Sequence, residues 1–189
     1  MQSIAALVAG LAVALAALVA SPVHAQSGQE PTVSVVPDTD GAGGRVDAKI
    51  RIAAPPADVW RAMLDCKVSE RIVSGLTYCR VLKQDPNGAW DVREHRVTWS
   101  SLFPSVRNVF RSDYERHAVI RFARIEGDLR KLKGTWRLQP LAGEKATLVT
   151  YMAEIDPGVP VPGVLLRAAI ESDVRKVLVA LQREVENGR

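Results

Sequence analysis

Histidine and cysteine are scarce: His24, His95, His117, Cys66 and Cys79 are all the chain has among 189 residues. Neither cysteine belongs to a Cys-x-x-Cys pair, and no histidine stands at ligand spacing from either, so no metal site is expected. The chain lacks His-Glu-x-x-His, Gly-x-Ser-x-Gly and a Gly-rich phosphate loop, which removes the usual equipment for zinc hydrolysis, serine hydrolysis and nucleotide chemistry. Gly43-Gly44 has neither the spacing nor the following helix of a dinucleotide site. Aromatic residues are only 5% of the chain and form no RNA-binding signature, so no nucleic-acid partner is expected. Internal repeats are absent. No cofactor is expected either.

Charge is missing from residues 1–25, where residues 4–20 are an unbroken run of Ala, Leu, Val, Ile and Gly. Ser21-Pro22 and then Val23-His24-Ala25 follow, as at a signal-peptidase site. Residues 1–25 therefore read as a signal peptide cleaved near Ala25, which places the mature chain in the periplasm or outside the cell. Met1-Gln2-Ser3 carries no basic side chain, and an uncleaved membrane anchor is the rival reading. No cysteine lies near the run, which argues against a lipoprotein anchor. The remainder is about the size of one domain and keeps the whole formal charge of +4. That basic balance suits weak attraction to anionic lipid head groups, or is simply an ordinary basic surface. In an oxidising compartment Cys66 and Cys79 read as a disulfide, adding roughly 3 kcal/mol in the chain-entropy model. Catalytic or metal-binding cysteines are the alternative.

Residues 26–44 read as a flexible linker with an edge-strand candidate at 32–36, and a single domain fills residues 45–189. Val46, Ala48, Ile50 and Ile52 alternate with charged residues, the pattern of a strand with one buried face. Pro55-Pro56 opens a helix with Val59, Trp60, Met63 and Leu64 at core spacing, and a second short helix covers 68–72. Strands are predicted at 78–84, 90–99, 105–116, 118–125, 134–138 and 147–151, with turns at 85–88 and 126–128. Beyond Pro162, Leu166, Ile170, Val174, Val177, Leu181 and Val185 recur at helical spacing up to Asn187. The expected class is α+β: a curved antiparallel sheet of about six to seven strands, two short helices after the first, and a long C-terminal helix gripped by the sheet. Such a wrap leaves a cavity.

Four stretches carry a family likeness. Residues 50–60 run from a strand through Ala54-Pro55 to a helix with Val59-Trp60, and Asp65 closes that helix. Glu126-Gly127-Asp128 leads to Gly134-Thr135-Trp136, and Thr150-Tyr151 precedes Asp156-Pro157 and the terminal helix. This order resembles the helix-grip fold of the START-like (SRPBCC) superfamily, which includes polyketide cyclase/dehydrase-type and coenzyme Q-binding proteins. The resemblance covers roughly residues 46–185 and implies a hydrophobic cavity without selecting a chemistry.

Lining for that cavity is expected from Trp99, Phe110, Phe122, Trp136 and Tyr151 on strands and from Leu166, Ile170 and Val174 on the helix, each of which could equally be core. His95 and His117, beside charged residues in strands, read as surface groups, and Asp113 and Glu115 as solvated charge. No catalytic residue is assigned. Leu129 with Arg130-Lys131-Leu132-Lys133 mixes basic heads and apolar tips beside a hairpin, as suits transient docking on an anionic membrane; a solvated turn is the rival. The leading expectation is an exported, non-enzymatic carrier of a lipid, quinone or other isoprenoid. A cyclase or dehydratase would need His95, Tyr114 or Arg121 pointing inward with a shifted pKa. An interaction module would have a filled interior and an exposed apolar patch.

Overall fold

A computed structural model of the chain describes residues 29–38, 43–98, 105–143, 145–158 and 162–188. The leader and its cleavage site, the turn at 40–42 and Trp99 lie outside the described residues. Chain order is β1 (Thr32–Pro37), β2 (Gly44–Ile52), α1 (Pro56–Leu64), α2 (Cys66–Ile72), β3 (Leu76–Gln84), β4 (Trp90–Val97), β5 (Val106–Glu115), β6 (Val119–Gly127), β7 (Lys131–Pro140), β8 (Thr147–Asp156) and α3 (Gly163–Asn187). The strands form one curved antiparallel sheet in the order β1-β2-β8-β7-β6-β5-β4-β3. The sequence reading expects six to seven strands, and the sheet has eight. The difference is β1, in which only Val35 is buried, so the segment reads as linker as readily as strand.

Local chemistry explains most boundaries. The alternation in β2 is buried at Val46, Ala48, Ile50 and Ile52 and turned out between them. Pro56 starts α1, where its missing N–H would have no partner, and Val59 and Trp60 turn into the core. Asp65 ends α1 and caps α2, its carboxylate accepting from the Lys67 N–H at 2.7 Å. Cys66 and Cys79 are bridged with Cα atoms 5.3 Å apart, pinning the start of α2 to edge strand β3. Gly127 sits at φ +124, and a Cβ there would meet the Arg107 carbonyl, so only glycine closes this turn.

With 25 residues, α3 spans about 37 Å at 1.5 Å per residue. It packs against β1, β2, α1 and α2, with Leu178 and Leu181 fully buried. Polar clasps hold the seat. The Gln182 amide donates to the Arg51 carbonyl at 2.8 Å, the Ala53 N–H donates to Glu186 Oε1 at 2.7 Å, and Arg175 donates to the Pro31 carbonyl at 2.9 Å. Among the described residues no helix is long and apolar enough to cross a membrane.

Candidate ligand-binding cavity

Because α3 lies over the β1–β2 side of the sheet, the inner faces of β4 to β7 are left with space above them. That space is a cavity of about 340 Å³, walled by the sheet, by α2 and by Asp173, Val174, Val177 and Leu181 of α3. Strand alternation puts rings from five adjacent strands on its wall: His95, Phe110 and Tyr114 of β5, Phe122, Trp136 and Tyr151. The rings touch in sequence. His95 meets Phe110 edge-on at 4.9 Å, Phe110 meets Phe122 at 6.4 Å, Phe122 stacks on Tyr151 at 6.2 Å, and Trp136 lies 4.1 Å from Tyr151.

Phe122 and Tyr151 belong to β6 and β8, with β7 between them, so their stacking needs a gap. Gly134 supplies it. It stands opposite Phe122 in the register, and a Cβ on it would lie 2.7 Å from Phe122 Cζ. The Gly-x-Trp pattern therefore has a physical reason: Gly134 seats the Phe122 ring and Trp136 covers Tyr151.

The far wall, on β4 and β5, is polar. Arg93 is 7% exposed and ion-paired to the equally buried Asp91 at 2.7 Å, with Tyr114 Oη 3.4 Å from its second amino group. Burial opposes the charge on Arg93, but the hydrogen bond to Asp91 and the nearby Tyr114 raise its pKa on balance. Burial, with Arg93 adding to it, pushes His95 down to about 4, so its ring is neutral at physiological pH. Burial also pushes the Tyr114 phenol up. Among the described residues four buried side-chain atoms have no hydrogen-bond partner, and three of them belong to this wall: Asp91 Oδ1, His95 Nε2 and Asn108 Oδ1. His95 and Asn108 face each other directly across β4 and β5.

Among the residues expected to line a cavity, Phe110, Phe122, Trp136, Tyr151 and Val174 do so. Leu166 and Ile170 do not. Leu166 is buried away from the cavity and Ile170 packs at the edge of the core, because α3 also packs on β1, β2, α1 and α2. His95 is a cavity group rather than the surface group expected, since β4 turns Asp91, Arg93 and His95 inward together. His117 lies outside the lining, half-buried against Trp60 in the β5–β6 turn. Tyr114 faces the cavity, whereas Arg121 is on the outer face, paired with Glu115. Asp113 is exposed and paired with Arg111. Leu129 and Leu132 line the cavity, while Lys131 and Lys133 turn outward to share Glu154 at 3.2 and 3.1 Å, and Arg130 pairs with Asp156 at 3.4 Å. Among the described residues no cluster of His, Cys, Asp or Glu could hold a metal.

A sequence model for polyketide cyclase/dehydrase and lipid transport proteins matches residues 52–182, from the last residue of β2 into the second half of α3. The chain belongs to this family. No curated protein matches it in sequence. In fold it is similar to the STAR-related lipid transfer protein (fragment 25–204) from Xanthomonas axonopodis, with TM-score 0.69, 18% identity, and 86% of this chain and 97% of that chain covered. The Zhui aromatase/cyclase from Streptomyces sp. R1128 gives TM-score 0.60 at 20% identity, over 76% and 93% of the two chains. Human STARD10 gives 0.67 at 12% identity, over 84% and 70%. The family's grip fold is one that takes hydrophobic ligands.

What sequence reasoning misses in this family member is Arg93, Asn108 and Ser112, which with Tyr114 make the wall polar. The signal was present but indistinct. From 90 to 96, charged and polar residues occupy both phases of the alternation, so neither face of β4 looks apolar and the buried one cannot be chosen.

Proposed function

We propose that this chain, exported and freed of residues 1–25, is a non-enzymatic binder or carrier of a hydrophobic small molecule, such as a lipid, a quinone or another isoprenoid. The observation that carries the reading is the void of about 340 Å³ lined by a continuous series of rings and closed by an amphipathic helix. That volume is near the low end of the ~300–1,000 Å³ usual for small-molecule sites, which favours one chain or a compact ring system over a two-tailed lipid. Burying about ten methylenes contributes about 8 kcal/mol, comparable to the roughly 4–15 kcal/mol that association costs. A useful affinity therefore needs a polar anchor as well as a chain. The leader and the Cys66–Cys79 bridge support export into an oxidising compartment. The family's own description includes lipid transport, and one fold relative is a lipid transfer protein.

Transient docking on an anionic membrane through Arg130, Lys131 and Lys133 fits a carrier, with Leu129 and Leu132 leading inward to the cavity. Lys131→Glu with Lys133→Glu should weaken binding to anionic liposomes, and unchanged binding removes this part of the proposal.

Cyclase or dehydratase chemistry is the second reading, favoured by His95 and Tyr114 on the cavity wall and by the likeness to an aromatase/cyclase. Against it, His95 is held neutral and the Tyr114 phenol protonated, so neither is poised to exchange a proton near pH 7. Mass spectrometry of organic extracts of the natively purified protein tests the two. An apolar guest released unchanged supports the carrier. A protein that takes up no apolar probe, or that turns over an added polyketide-like substrate, overturns it.

A further inference from the structure

The carrier reading leaves the guest's polar end undefined, and the β4–β5 wall defines it. His95 Nε2 and Asn108 Oδ1 are buried without partners, on directly opposed residues that both line the cavity. A buried polar atom left unpaired is costly, and such pairs are rare unless a ligand or ordered water answers them. A guest that answers both atoms must carry a donor, because Asn108 Oδ1 only accepts.

The same wall has no charge to spare. The Arg93 guanidinium is answered by Asp91 beside it, with the Tyr114 hydroxyl near the same Nη2 group. Asn108 and Ser112 are neutral, and the His95 ring is held uncharged by burial and by Arg93. Asp173 of α3 faces the cavity from the opposite side, 3.6 Å from Lys176. A carboxylate or phosphate brought here would be desolvated beside two carboxylates with no free cation to meet it.

We propose that the guest ends in an uncharged hydroxyl seated between His95 and Asn108, donating to Asn108 Oδ1 and meeting the His95 ring with its oxygen, and that this cavity rejects free fatty acids and phosphate-bearing lipids. The assignment rests on the carrier reading and narrows it to alcohols on a single apolar body.

The test compares decanol, a decanone and decanoate at neutral pH on the full chain by calorimetry, with uptake of the neutral dye Nile red as a separate measure of the cavity. Decanol should bind the wild-type protein at least about ten-fold more tightly than decanoate, and more tightly than the decanone, whose oxygen has no hydrogen to give Asn108. In His95→Phe/Asn108→Leu the preference should vanish, while the ligand-free melting temperature stays level or rises because two unpaired polar groups are gone. Asn108→Leu alone, nearly isosteric, should shrink the preference in the same direction. Equal or tighter binding of decanoate by the wild type, or a preference that survives both substitutions, overturns the head-group assignment and leaves the carrier reading standing. If neither Nile red nor any of the three chains enters the wild-type protein, the carrier reading falls and takes the assignment with it.

Discussion

Asp91 accepts two bonds from Arg93 on a single oxygen, and both side chains are almost sealed from water. Removing one partner leaves the other charge buried, which typically costs about 3–5 kcal/mol. Arg93→Met should therefore lower unfolding free energy by that order in urea titration, and Arg93→Met/Asp91→Leu should recover most of the loss. His95 makes a prediction about pH. Burial first, then Arg93, takes its pKa from 6.5 to about 4, with Asp91 pulling weakly the other way. Between those values the unfolded chain holds a proton that the folded chain does not, so unfolding takes up a proton and stability rises with pH. The contribution is complete above about pH 6.5 and is lost as pH falls towards 4, on the order of 3 kcal/mol in all. His95→Gln should flatten that part of the stability profile; an unchanged slope would place the titration elsewhere.

At the level of elements, β7 shows how a missing side chain shapes a site. Gly134→Ala puts a Cβ 2.4 Å from the Met152 carbonyl and 2.7 Å from Phe122 Cζ, so the strand pair and the ring must both yield. Overpacking of this kind costs about 1–3 kcal/mol. The displaced Phe122 ring enters the cavity, so the variant should lose affinity for apolar probes by more than its loss of stability explains. Calorimetry of binding alongside thermal unfolding separates the two. β4 shows the reverse case, a strand whose interior face is polar and whose outer face holds a buried carboxylate. Glu94 points outward, and hydrogen bonds from Arg107 and Arg96 draw its pKa down.

For the molecule as a whole, the question is whether the space under α3 is a guest chamber or slack packing. Val174 is half-buried and faces the void from the helix. In a packed core, Val174→Trp would cost about 1–3 kcal/mol. Over a void of about 340 Å³ the indole has room, so stability should hold while uptake of Nile red and decanol is lost. A large fall in stability would mean the helix closes down on the sheet in solution.

The sequence alone determined the elements and their order, because period and punctuation are local. Ile50 and Ile52 alternate, Leu178 and Leu181 lie on one stripe, Pro56 and Asp65 stand where helices start or stop, and Gly127 where a strand turns. It also pointed to Phe110, Phe122, Trp136 and Tyr151 as lining, all on strands. Tertiary structure alone decided which side of α3 is spare. That depends on which face of α3 packs on β1 and β2, and the lining comes from Val174, Val177 and Leu181 rather than Leu166 and Ile170. It also decided that His95 and Arg93 face inward. A strand that is polar in both phases carries no hydrophobic instruction, and only its pairing with β5 sets which phase meets water.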